Sequence, residues 1–146
     1  MRTEELKEIF LRDLGKLEEE INLYPDEAAM WVVKGEIKNS GGNLCVHLCG
    51  GLLHFIGAVL GGTGYVRNSD AEFADKNIPR AQLIELIHRT KKIVEETLGQ
   101  LNDDMLAKEY PLEVLGRRWT TGYYLTHLAT HLNYHLGQIN YHRRMG

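Results

Sequence analysis

Apolar residues return every three or four positions through residues 3–23, where Leu6, Phe10, Leu14, Leu17 and Ile21 are set among charged neighbours. That period predicts an amphipathic helix with a charged outer face. Thr3 is the expected N-cap, and Pro25 stops or kinks the segment. Residues 26–42 read as a connector, apolar at Trp31, Val32, Val33 and Ile37, with a turn signal in the NSGG run at 39–42. A second helix is expected over 43–60. It is apolar on almost every side, which predicts a place deep in the fold. Gly50 and Gly51 lower its intrinsic helicity and suit a close approach by another backbone or a ligand. Gly61, Gly62 and Gly64 end it.

Residues 65–78 are polar and irregular. Pro79 opens a third helix with Leu83, Leu86, Ile87, Val94 and Leu98 on its inner face. Residues 102–111 connect it to 112–118, a stretch compatible with strand or loop. Thr120 or Thr121 caps a fourth helix running to about His142. The expectation is one all-α domain over 1–146, a four-helix bundle. The connectors after the first helix and between the second and third are long enough to cross over it.

Charge and cysteine usage narrow the class. With 17 basic and 20 acidic residues the formal charge is −3, which gives no general attraction to phosphate backbones, so nucleic-acid binding is not expected. Cys45 and Cys49 stand four apart, on one helix face rather than in a CxxC redox turn, and are expected as buried free thiols. The apolar run 44–60 is broken by His47, His54 and glycines and falls short of a membrane span. The chain opens on a polar amphipathic segment rather than a secretion signal, so a cytoplasmic protein without a membrane partner is expected.

The candidate chemistry lies in the histidines. His127, His131 and His135 are four apart and stack on one face of the fourth helix, beside the apolar stripe of Leu125, Leu128, Leu132, Leu136 and Ile139. Gln138 and His142 continue that polar line. His47 and His54, seven apart, share a face of the second helix. An imidazole in such an apolar helix needs a partner. A metal is one, held by an HxxxH pair and a third histidine from a facing helix, with coordination positions left open. A hydrogen-bonded polar core of histidines with tyrosines and threonines is the alternative. HxxxH alone is weakly specific.

Two stretches carry a family resemblance: GGNLCVHLCGGLLHFIG at 41–57 and THLATHLNYHLGQINYHRR at 126–144. Together they resemble the DinB/YfiT-like superfamily of candidate metalloenzymes, and within it the DUF1572-type branch. The resemblance implies a bundle of up-down-down-up topology with a long crossover. It also implies a divalent ion, zinc or nickel first and iron or manganese as alternatives. By this likeness His47 takes the place of the second-helix ligand, and His131 and His135 those of the fourth-helix ligands. His135-Leu136-Gly137-Gln138 matches the end of the family's HxxxHxGQ motif. His127 precedes the triad and is not carried over as a ligand. Members of the superfamily often form homodimers. Some relatives transfer low-molecular-weight thiols such as bacillithiol or mycothiol, and one is a maleylpyruvate isomerase.

Three neutral ligands leave a divalent ion fully cationic, able to activate a thiol or a water as nucleophile. The leading expectation is therefore a metal-dependent transferase or hydrolase acting on a small-molecule substrate. The alternatives are a non-catalytic, dimeric or stress-related protein with a structural or vestigial site, and a small-molecule isomerase. His127 and His54 are the candidate catalytic residues, as proton carriers near the metal. Gln138 is a candidate support for a ligand imidazole, Arg117 or Arg118 for an anionic substrate, and Trp31, Trp119 and Phe73 for the mouth of the pocket. Packing is the simpler reading of Tyr134. An open position in a cleft favours catalysis, and a fourth ligand from His127 or His54 favours structure.

Overall fold

The computed structural model describes all residues, 1–146. Four long helices form the body: α1 (Thr3–Leu23), α2 (Gly41–Leu52, continued by a π-helical turn over Leu53–Ala58), α4 (Arg80–Gln100) and α6 (Thr121–Met145). Short helices α3 (Ser69–Ala74) and α5 (Asp103–Leu106) lie in the connectors, with a 3-10 turn at Ala28–Trp31. There is no β-sheet, only isolated bridges Glu109–Thr120 and Val114–Arg117. The stretch 112–118 is thus a turn rather than a strand.

The helix starts follow capping chemistry, with one correction. Ser40 and Thr120 accept from Asn43 N and Tyr123 N at α2 and α6. Arg2, not Thr3, stands at the cap of α1. Thr3 is instead the first helical residue, and its N–H donates to Asp103 Oδ1 at 2.9 Å. α6 also continues three residues past His142, to Met145, with cationic Arg143 and Arg144 in its last turn, where the helix dipole favours them.

Side-chain contacts fix the topology. Tyr24 and Glu20 meet the end of α6 at His142 and Arg143, so α1 and α6 run parallel. Arg80 Nη donates to Tyr24 O, so α4 runs back along α1. α2 lies antiparallel to α6, with Leu44 near Gln138 and Phe55 against Tyr124. The result is up-down-down-up, with α1 and α2 each packed between α4 and α6. Residues 59–79 make the long crossover that the parallel neighbours α2 and α4 require.

The expected apolar stripes meet in one core: Leu6, Phe10, Leu14, Leu17 and Ile21 of α1, Leu83, Ile87, Val94 and Leu98 of α4, and Leu125, Leu128, Leu132, Leu136 and Ile139 of α6 are all buried. Leu86 only borders it. Cys45 and Cys49 are buried free thiols. α2 corrects one sequence reading. Gly41–Ala58 is long and apolar enough to cross a membrane, with mean hydropathy 1.2, yet 67% of it is buried inside the bundle, where it serves as a core helix.

Candidate metal centre

His47 faces α6 midway along α2, and His131 and His135 meet it from one face of α6. Their Nε2 atoms converge: His47 to His131 at 3.4 Å and His135 to His131 at 3.2 Å. One nitrogen from each lies within 4.8 Å of the others. The rings meet nearly edge to face, with interplanar angles of 73° to 87°, so each presents a nitrogen to a common point rather than stacking.

Their outer nitrogens are held. His47 Nδ1 lies 3.1 Å from Glu72 Oε1, and His135 Nδ1 lies 2.6 Å from Gln138 Oε1. An ionised carboxylate and an amide oxygen only accept, so both imidazoles donate from Nδ1 and carry a lone pair on Nε2. Both lone pairs face His131 Nε2, and one N–H there can serve only one of them. A divalent ion resolves that conflict. Tetrahedral Zn–N bonds of 2.0–2.1 Å place their nitrogens roughly 3.4 Å apart, close to the observed separations. Burial, and then the neighbouring His135 and His47, push the His131 pKa down to about 4. Burial outweighs Glu72 and lowers His47 as well. His131 and His47 are therefore neutral near pH 7, the form in which imidazole ligates.

Glu72 and Arg67 belong to this centre and were not foreseen from the sequence. Glu72 is 3% exposed and comes from α3 in the crossover. Arg67 grips its carboxylate with two N–H···O bonds, Nε at 2.8 Å and one Nη at 2.9 Å. This carboxylate–histidine arrangement fixes the ring and raises ligand basicity, while the guanidinium cancels the carboxylate charge. Asn43, buried one turn before His47, donates to the carbonyls of Glu72 and Asp75 at 3.0 and 2.8 Å and so docks α3 on α2. The available signal was local. Asn68 caps α3, and Ser69-Asp70-Ala71-Glu72 has the S-x-x-E form of a helix start.

A cleft of about 260 Å³ opens beside the histidines, between α2, α6 and the 114–117 turn. His127 lines it, one turn before His131, with its ring against Trp119 and Tyr124. His54 does not line the cleft. It packs on Phe55 in the π-helical turn, and its Nδ1 is buried without a partner. Neither joins the three-histidine cluster as a fourth ligand. Phe73 lies against His47, with ring centroids 4.8 Å apart, and Tyr134 is exposed beside His135. Arg117 lies over Trp119 and Arg118 pairs with Glu109, and neither lines the cleft. Trp31 is buried away from the cleft, in the core.

Among curated proteins and among solved structures, no significant match to the chain is found. One family match spans residues 4–145, nearly the whole chain, and is described as a protein of unknown function, DUF1572. All-α topology and a converging histidine triad agree with the DinB/YfiT-like resemblance, and the chain belongs to the DUF1572 family.

Proposed function

We propose that this protein is a metal-dependent transferase or hydrolase that activates a low-molecular-weight thiol, or water, on a divalent ion held by His47, His131 and His135. The observation that carries the reading is the three convergent Nε2 atoms, without a fourth protein ligand, at the edge of a cleft. A structural zinc site is closed by four protein ligands, whereas a catalytic one keeps a position free. Three imidazoles suit zinc or nickel, and iron as well. The ion supplies Lewis acidity, lowering the pKa of a thiol or water brought to it.

The chain's own residues do the rest. Glu72 and Gln138 hold two ligand rings in the tautomer that leaves Nε2 free. His127, on the cleft wall, takes the proton of the nucleophile. In thiol transfer the sulfur then forms a bond to the electrophilic carbon. The leaving group departs with its electron pair and takes the proton back from His127.

Elemental analysis of protein offered zinc or nickel is the first test, and one ion per chain is expected. The loaded protein is then assayed with cysteine and N-acetylcysteine against 1-chloro-2,4-dinitrobenzene, and with p-nitrophenyl acetate for hydrolysis. Metal-dependent turnover, lost in His131→Ala and reduced in His127→Ala, supports the proposal. Stoichiometric metal without turnover assigns the ion a structural role, and failure to bind metal removes the basis of the reading.

A further inference from the structure

The walls of the cleft are more selective than thiol or water activation alone requires. They are mainly apolar, with Leu52, Phe55 and Leu128 among them, and include one cationic side chain, Arg67, and no carboxylate. Arg67 uses Nε and one Nη on Glu72. Its other Nη makes no hydrogen bond within the protein, and the guanidinium carbon sits 5.7 Å from the Phe55 ring centroid. The cleft therefore offers a free guanidinium N–H donor beside the histidines, on a group already paired with Glu72, and an apolar length beyond them.

The turn above it is unusual in one residue. Val114 and Arg117 exchange backbone hydrogen bonds of 3.0 and 3.1 Å around a two-residue loop, Leu115-Gly116. Both loop residues have positive φ, 53° and 72°. Such a turn favours Asn-Gly, because a Cβ followed by a branched chain is strained in the left-handed region. The structure holds the strain in place: Trp119 Nε1 donates to Val114 O at 2.8 Å, and Arg117 lies over the Trp119 ring. Packing within the protein does not account for the leucine, which is 74% exposed. It is nevertheless part of the cleft lining. A strained residue kept at the mouth of a site points to use by that site.

Building on the metal-dependent reading above, we infer that the cleft takes a small organic carboxylate with an apolar body, its head between Arg67 and the histidine centre and its body under Leu115, which sets specificity. A cleft of about 260 Å³ limits the body to one ring or a short chain.

The test is calorimetric titration of the zinc-loaded full chain with 3-phenylpropionate, its primary amide and acetate. The acid should bind about 10-fold tighter than the amide, which lacks the charge, and about 10-fold tighter than acetate, which lacks the body. Leu115→Asn suits the left-handed backbone. It should raise Tm by about 2–4 °C, keep zinc content and acetate affinity, and weaken 3-phenylpropionate about 5-fold. Equal binding of acid and amide, equal binding of acid and acetate, or unchanged 3-phenylpropionate affinity in Leu115→Asn each overturns the inference. Zinc content of the same samples separates the two readings. No zinc uptake sinks the proposed function, whereas zinc uptake without these preferences sinks this inference alone.

Discussion

The carboxylate of Glu72 occupies the space that a Cβ on Gly50 would need. The gap in α2 is therefore filled by the group that orients His47 one turn earlier. Gly50→Ala should leave a folded helical protein, since alanine favours helix by about 1 kcal/mol over glycine, but it should push Glu72 off His47. Loss of such a support typically lowers metal affinity about 10–100-fold. Competition with a chelator of known affinity measures this. Unchanged affinity would show that Glu72 does not hold the ligand.

Glu72 and Arg67 also form a buried ion pair within the crossover. Glu72→Leu leaves a largely buried guanidinium unpaired and should cost about 3 kcal/mol in urea unfolding. The double variant Glu72→Leu/Arg67→Leu should recover much of that stability without recovering metal affinity. If the double variant binds metal normally, the pair serves the fold alone.

The ligand histidines give the sharpest contrast. His47→Ala and His131→Ala should each abolish stoichiometric metal uptake. In the unmodified protein, metal at about 1,000 times Kd should stabilise the fold by about 4 kcal/mol. Thermal melts with and without chelator read the difference, and a chelator-insensitive Tm would count against the site.

Acid should weaken the metal-free fold. His131 titrates at about 4 in the folded protein and near about 6.5 unfolded. Between those values the unfolded chain binds more protons, so stability is full above pH about 6.5 and declines as pH falls toward 4. Burial lowers His47 in the same direction. Melts in chelator from pH 7.5 to 4.5 should show the decline, and His131→Asn should flatten it.

Asn133, between the two α6 ligands, donates to Asp13 Oδ2 of α1 at 3.0 Å, and Arg12 takes the other oxygen. Asp13 is fully buried. Asn133→Ala should cost about 1–3 kcal/mol by leaving that oxygen without its donor. Denaturant unfolding measures the loss. A neutral result would mean water replaces the amide.

Residues near the centre differ in how far the sequence revealed them. His127, His131 and His135 share a face at i, i+4 and i+8, and the apolar stripe beside them placed that face at the core, so local periodicity brought out the run, while the family resemblance picked His131 and His135 from it as the ligands. Gln138, three residues after His135, was within reach of the same argument. Glu72 was not. It lies 25 residues from His47 in a polar crossover without periodicity. Only the docking of α3 by Asn43, buried and 29 residues from Glu72, brings it in. His127 and His54 looked alike as histidines on ligand-bearing faces. The packing put His127 on the cleft wall and left His54 off it, against Phe55.

By itself, the chain determined four helices, their buried faces and the histidine-bearing faces of the second and fourth, because hydrophobic period and capping residues act within a few turns of backbone; the resemblance to a known family then singled out three of those histidines. Tertiary structure decided the rest: the carboxylate in the Gly50 gap, the guanidinium that holds it, and the strained Leu115 over the cleft. Each depends on where a connector without repeating pattern comes to rest. That is set by long-range packing and buried hydrogen bonds, which no local window of sequence contains.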